Sequence, residues 1–449
     1  MRPNWFLIVA LLSTVHVASS VTQAQPNRPL ANDFVVVFES PDPGKVFCYT
    51  PGLCRLPSGR LVATLDLGGP GVASLPGVKA DVCTEKGSWQ GKILTSDDGG
   101  KSWQLRAEFP GMHARPFVAG NSVYVLGHTT DLFILPSDDG GLKWSAPVFL
   151  SEGQKWHQSA CNVLYANDCV YIVMERRTSD TIPGWYVGDL APVLMRARTD
   201  ADLLKRENWT FASELTFQDA LKHVDGEPQI DNTGIPFFAA PYPTGSRPAT
   251  GRNCAPMGWL EANVVQFVDP NHIWHDPAGK TFHLWMRAHT GGTGYAAVAK
   301  VVEHDDGTMT TELEKVPSGK KLLYAPCPGG HLRFHVVYDE ATKLYWLLSS
   351  QPTDSMTRID RLGKDRFSLP NNERHRLQLQ FSKNMIDWCF AGLVATGATP
   401  RQARHYASLV IDGDDLLVLS RSGDDRAKSA HDGNIITFHR VKRFRDLVY

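Results

Sequence analysis

The chain carries almost no excess of charge of either sign: 46 Lys and Arg against 47 Asp and Glu leave a formal net charge of −1. Without a basic field there is no footprint for a nucleic-acid backbone or an anionic membrane surface. Beyond its N-terminus the chain has no run of about 18 consecutive apolar residues, so no helical membrane span is expected. No Cys-x-x-Cys pair and no His-Glu-x-x-His motif occurs, which leaves a zinc site without support, and neither metal nor cofactor is expected. Long Ser-, Pro- or Gly-rich linkers are missing as well, so nothing in the 449 residues marks a boundary between domains. The partner these absences leave is a neutral or modest-sized ligand.

What the chain does have is 12 Trp, 12 Tyr and 20 Phe beside 38 Gly and 29 Pro, a composition that suits short strands joined by tight turns. Its N-terminus runs from Arg2 through an apolar stretch at 6–12 to small residues before Gln25, the order of a signal peptide. Residues 1–24 are therefore expected to be removed on export to a secreted or periplasmic location, leaving 25–449 as one domain. Export permits disulfides among Cys48, Cys54, Cys83, Cys161, Cys169, Cys254, Cys327 and Cys389. At this size the core does not require them, and buried cysteines also serve as small apolar residues. Asn208-Trp209-Thr210 fits a glycosylation sequon.

The segment Ser96-Asp97-Asp98-Gly99-Gly100-Lys101-Ser102-Trp103 returns 41 residues later as Ser137-Asp138-Asp139-Gly140-Gly141-Leu142-Lys143-Trp144. In such a turn Asp can bond backbone amides, Gly can take positive φ and Trp can pack back onto the sheet. A shorter copy, Ser382-Lys383-Asn384-Met385-Ile386-Asp387-Trp388, lacks the glycines. Apolar β-rich runs at 61–65, 123–126, 170–174, 282–286, 344–348 and 416–419 recur at blade-like intervals.

The repeated turn resembles the Asp box of the sialidase-like propellers, and with it the chain is similar to that superfamily. The resemblance implies an all-β, six-bladed β-propeller, closed by pairing the last strand with an N-terminal one near 34–38, with the Asp boxes on the outer margin away from the catalytic mouth. It also implies a glycan or oligosaccharide as substrate, an arginine triad for a carboxylate, a Tyr nucleophile with a Glu base, and an Asp acid.

On this resemblance Tyr406, in His405-Tyr406-Ala407-Ser408, is the nucleophile, and Glu261, in Trp259-Leu260-Glu261-Ala262-Asn263, its base, with Glu227 a rival. A phenol, with an ordinary pKa of about 10, needs such a carboxylate to take its proton. Arg287 ends the following strand and suits a carboxylate clamp because its planar fork can donate two charge-assisted bonds. Arg374 is placed as another triad member, and strand alternation predicts that Arg376 points the same way. Asp81 is the expected acid, from the loop 67–89, with Glu85 in reserve. The chain departs from the family at Cys48-Tyr49-Thr50-Pro51, which puts Tyr49 where the first triad arginine belongs and leaves Arg55 on another register.

That departure opens a different sugar. So do the histidines in loop-like contexts, His113, His157, His272, His331, His335, His405 and His431, of which His157 and His331 are further candidates for substrate contact. The expected activity is exo-acting hydrolysis of a terminal acidic sugar. A polysaccharide lyase or another glycosidase using His and Tyr, or a non-catalytic carbohydrate-binding propeller, are the alternatives on the same scaffold.

Overall fold

Each of the six apolar runs grows into the second of four successive strands of an antiparallel blade, blades three and four each adding one short strand, and the six blades make the ring. A second strand is covered by a neighbour on either side and by blades on both faces, so it needs an unbroken apolar run; Leu61–Gly68 is buried along its whole length. The computed structural model describes residues 28–449 apart from 81–86, 158–160, 183–184, 223–245, 250–251, 255–256, 290–293, 355–356, 359 and 364–372, with backbone alone at 246–249 and 252–254.

Blade one runs Phe47–Arg55, Leu61–Gly68, Gln90–Ser96, Gln104–Phe109, and blade two Met112–Ala119, Ser122–His128, Leu132–Ser137, Val148–Phe149. Blade three is Trp156–His157, Cys169–Arg177, Leu190–Arg198, Thr210–Phe211, and blade four Trp259–Val265, Thr281–Ala288, Tyr295–Glu303, Met309–Glu312. Blade five is His335–Asp339, Leu344–Ser350, Arg376–Ser382, Cys389–Thr396. Blade six takes Arg404–Asp412, Asp415–Ser422 and Ile435–Val441 from the C-terminus and Val35–Glu39 from the N-terminus. That last strand pairs antiparallel with Ile435–Val441, Val35 opposite Phe438, so the ring closes as the sequence led us to expect.

The core lies between blades: Val62, Ile93 and Phe109 of blade one, for example, meet Ala114, Val125 and Phe133 of blade two. The repeated turns join third to fourth strands. Asp98 Oδ1 accepts from the amides of Lys101 and Ser102, both at 2.9 Å, while Ser96 Oγ accepts from Gly100 and Trp103 Nε1 donates to Gly100 O. The set recurs at Asp139, and in the third copy Asn384 Oδ1 takes the aspartate's part. Gly100 is required twice over: its φ is 93°, and a Cβ there would lie 2.2 Å from the Phe438 ring of the closing blade.

First strands line the axis, and buried polar side chains tie them together. Arg115 Nη1 donates to Pro51 O and Ser408 Oγ, Arg333 Nη1 to Tyr406 O, and Asn263 Nδ2 to Phe334 O. One end of the axis opens as a cleft of about 980 Å3, lined largely by apolar residues such as Pro116, Val163, Val264, Val337 and Leu409. Tyr406, Glu261, Arg287, Arg374 and Arg421 are not among its lining residues. The cysteines Cys48, Cys54, Cys161, Cys169, Cys327 and Cys389 are unpaired, and the first five are buried, in line with use as small apolar residues. No helix among the described residues is long and apolar enough to cross a membrane.

Candidate active site

Four first strands break register near their start, between Tyr49 and Gly52, Met112 and Arg115, Leu260 and Asn263, and His405 and Ser408. Each break holds a non-glycine residue at positive φ: Thr50 at 29°, His113 at 54°, Glu261 at 60° and Tyr406 at 50°. A bulge of this kind re-aims a side chain, at a cost of about 1–3 kcal/mol for each such residue. Buried groups hold the strained backbone from behind. Asp66 Oδ1 accepts from the His113 amide and Glu175 Oε1 from the Ala262 amide, both at 3.1 Å, and Arg333 Nη1 donates to the carbonyls of Tyr406 and Ala407 at 2.6 and 3.1 Å. Burial pushes Asp66 up to about 7 and Glu175 well above the usual carboxylate range.

Three guanidinium groups surround the Tyr406 ring. Those of Arg287, Arg374 and Arg421 lie 5.8, 5.5 and 5.1 Å from its centroid, and all three residues are buried. Arg287 Nη1 donates to Tyr406 Oη and sits 3.3 Å from Glu261 Oε2, so phenol and carboxylate share one donor. Its Nε donates to His331 O at 3.0 Å, and Arg374 Nη1 lies 3.1 Å from His405 Nδ1. Burial presses Arg374 down to about 10, and burial followed by Arg287 and Arg374 takes His331 down to about 3. Glu261 Oε1, Arg421 Nε, His405 Nε2 and both ring nitrogens of His331 are buried with no hydrogen-bond partner among the described residues. Unmet donors and acceptors clustered in one cationic well point to a polar, anionic ligand.

The other side of the mouth is a wall of rings. Arg421 lies 4.2 Å from the Tyr49 ring, which packs on Trp89 at 5.2 Å and His431 at 5.7 Å and donates through its hydroxyl to Asp432 at 2.8 Å. From Trp89 the wall continues through His113 at 6.2 Å to His157 at 5.6 Å, then to Trp185 and Tyr186 at 5.2 and 5.1 Å. Behind His113, His128 Nε2 lies 2.9 Å from His113 Nδ1. Burial first, then neighbouring positive charge, holds His113 and His157 well below the ordinary imidazole range, and burial brings His128 to about 4. The imidazoles of His113 and His157 are therefore neutral.

The structure thus brings Tyr406, Glu261, Arg287 and Arg374 together, with His331 bonded through its carbonyl to Arg287 and His157 and Tyr49 on the ring wall. Arg376 is a correction. Arg374 precedes the strand Arg376–Ser382, so alternation does not govern the pair, and Arg376 forms an ion pair with Glu373 and bonds His375 Nε2 at 2.8 Å. Arg55 lies away from the mouth, lining the apolar cleft and paired with Asp412 at 2.7 Å, and His272 stacks on Phe267 at 3.9 Å in the connection between the first two strands of blade four. Asp81, Glu85 and Glu227 fall outside the described residues.

Sequence reasoning missed Arg421. It sought a third arginine on the first strand of blade one, but the charge comes from the end of the second strand of blade six and reaches over Tyr49. Its signal was present: the run 416–419 ends in Ser420-Arg421, much as the run 282–286 ends in Arg287. No group of three or more His, Cys, Asp or Glu placed to hold a metal occurs among the described residues.

The ring is a six-bladed β-propeller with a polar, charged mouth. No protein-family model matches the chain, and curated protein sequences give no match. Among solved structures, a Hadza microbial sialidase superposes with a TM-score of 0.51 at 15% identity, over 91% of this chain and 68% of the other. A protein of unknown function from Dyadobacter fermentans gives 0.51 at 12% identity, over 91% and 97%. An α-L-arabinanase of Penicillium chrysogenum gives 0.48 at 12%, over 94% and 100%. At these identities the likeness is one of fold.

Proposed function

We infer that the protein is an exported glycoside hydrolase that removes a terminal acidic sugar from a glycan. The observation that carries this reading is the convergence of Tyr406 and Glu261 with three buried guanidinium groups on one mouth. Arg287, Arg374 and Arg421 would meet the sugar carboxylate with charge-assisted hydrogen bonds in a site largely shielded from water. Glu261 takes the proton of the Tyr406 hydroxyl. The phenol oxygen bonds to the anomeric carbon as the bond from that carbon to the leaving oxygen breaks, and an acid returns a proton to that oxygen. Water then attacks the same carbon, passing a proton to the carboxylate left on the acid, while the bond from that carbon to the phenol oxygen breaks and Tyr406 takes its proton back from Glu261. Asp81 is the proposed acid, and export rests on residues 1–24 as a signal peptide.

A product screen on terminal sialosides and uronosides tests the reading. Release of a reducing acidic monosaccharide is the expected result. An unsaturated uronate absorbing in the ultraviolet marks a lyase, the second reading, which the imidazole pair at His113 and His128 favours. Binding without any product marks a carbohydrate-binding propeller.

A further inference from the structure

The two histidines behind the ring wall fix each other's tautomers. His128 Nδ1 lies 2.8 Å from Thr129 O, and a carbonyl only accepts, so that nitrogen carries hydrogen. In a neutral ring His128 Nε2 is then the lone pair, and it lies 2.9 Å from His113 Nδ1. His113 Nδ1 must therefore donate. Its own Nε2 is left with the lone pair. Both rings are neutral at pH 7: burial holds each below the ordinary imidazole range, with the charges of Arg333 and Arg421 adding to the effect at His113.

The backbone shows that His113 is placed rather than merely packed. It occupies the same strained position in blade two that Glu261 holds in blade four and Tyr406 in blade six, a positive-φ residue inside a first-strand bulge. Asp66 buttresses the His113 amide as Glu175 does the Ala262 amide. Trp89 and His157 flank the His113 ring at 6.2 and 5.6 Å. A pre-set acceptor beside an indole suits a polyhydroxylated ring that stacks on the aromatic surface and offers a hydroxyl.

We propose that His113 is a substrate-binding residue whose Nε2 accepts a hydrogen bond from a ring hydroxyl of the sugar whose carboxylate faces the arginines. The proposal rests on the acidic-glycan reading above. It assigns the imidazole of His113 a specific task, selection of a hydroxyl, for which an ammonium or an imidazolium, with no lone pair to offer, would be unsuited. His128 is a positioning residue that acts through His113.

Two measurements test it on the full chain. Calorimetric titration with N-acetylneuraminic acid and with D-glucuronic acid compares the wild type with His113→Asn, since Asn tolerates the left-handed backbone but does not reach as far. The variant should bind the acid that the wild type binds about tenfold or more weakly, as expected when a buried hydroxyl loses its partner. In parallel, nitrogen-15 spectra of labelled histidine at pH 7, assigned by the peak His113→Asn removes, should show His113 with hydrogen on Nδ1 and none on Nε2. Unchanged affinity in a folded variant overturns the proposal, and so does a hydrogen on Nε2. A wild type that binds neither sugar contradicts the acidic-glycan reading, while the spectra still decide whether His113 presents an acceptor.

Discussion

The two sides of the mouth are built by the same backbone device for opposite physical ends. On the side of blades four to six, bulges deliver Glu261 and Tyr406 into a cluster of three buried guanidinium groups. Across from it, the bulge of blade two delivers His113, its imidazole kept neutral by burial, into a wall of Tyr, Trp and His rings. The first side can hold a charge because donors are fixed before the ligand arrives. The second can hold a ring and choose among its hydroxyls. Tyr49 is the hinge of the comparison, with Arg421 over one face and Trp89 beside it.

The sharpest way to break this division is Tyr406→Phe, which removes the oxygen and keeps the ring among the arginines. Turnover should fall by about 10³-fold or more while the fold persists, as circular dichroism and an acidic-sugar binding assay would show. Glu261→Gln comes next, with kcat expected to drop by about 10²–10⁴-fold and affinity to change little. Arg421→Lys should raise KM for acidic substrates more than for a neutral analogue, because an ammonium cannot reproduce a planar fork stacked on Tyr49. Equal losses on both substrates would move Arg421 out of carboxylate recognition. On the ring wall, Trp89→Ala should cost about 1 kcal/mol in binding of acidic and neutral sugars alike, visible as a rise of several-fold in KM.

The smallest effect concerns stability. Burial lifts Asp66 from an ordinary carboxyl value of 3.8 to about 7. Between these values the folded protein keeps a proton that the unfolded chain gives up, so stability should fall as pH rises through that window. Asp66→Asn can still accept from the His113 amide and should flatten this part of the profile in thermal melts at pH 5 and 8. An unchanged slope would assign it to other groups.

Much of the architecture was legible because it is local. A second strand buried on both faces needs a continuous apolar run, and the six runs are those strands; the turn at Asp98 needs Ser, Asp, Gly and Trp at fixed spacing, and so does its copy at Asp139. The mouth was legible where a residue sat on or just ahead of a strand with a readable motif, as Glu261, Arg287, Arg374 and Tyr406 do. Arg421 and the pair His113 and His128 depend on distant packing: Arg421 meets Tyr49 from nearly the other end of the chain, and nothing in a row of residues states that a bulge turns His113 inward. Arg376 failed for a related reason, since alternation holds inside a strand and Arg374 lies ahead of it.

The most direct test of the account is to trap the proposed reaction on the protein. The wild type would be incubated with activated fluoro-sugars, a 3-fluorosialosyl fluoride and a 2-fluoroglucuronosyl fluoride, then digested and mapped by mass spectrometry. A glycosyl adduct on the peptide bearing Tyr406, absent in Tyr406→Phe, is the predicted result. An adduct on Glu261 or another side chain, or hydrolysis of an acidic glycoside at full rate by Tyr406→Phe, would contradict it.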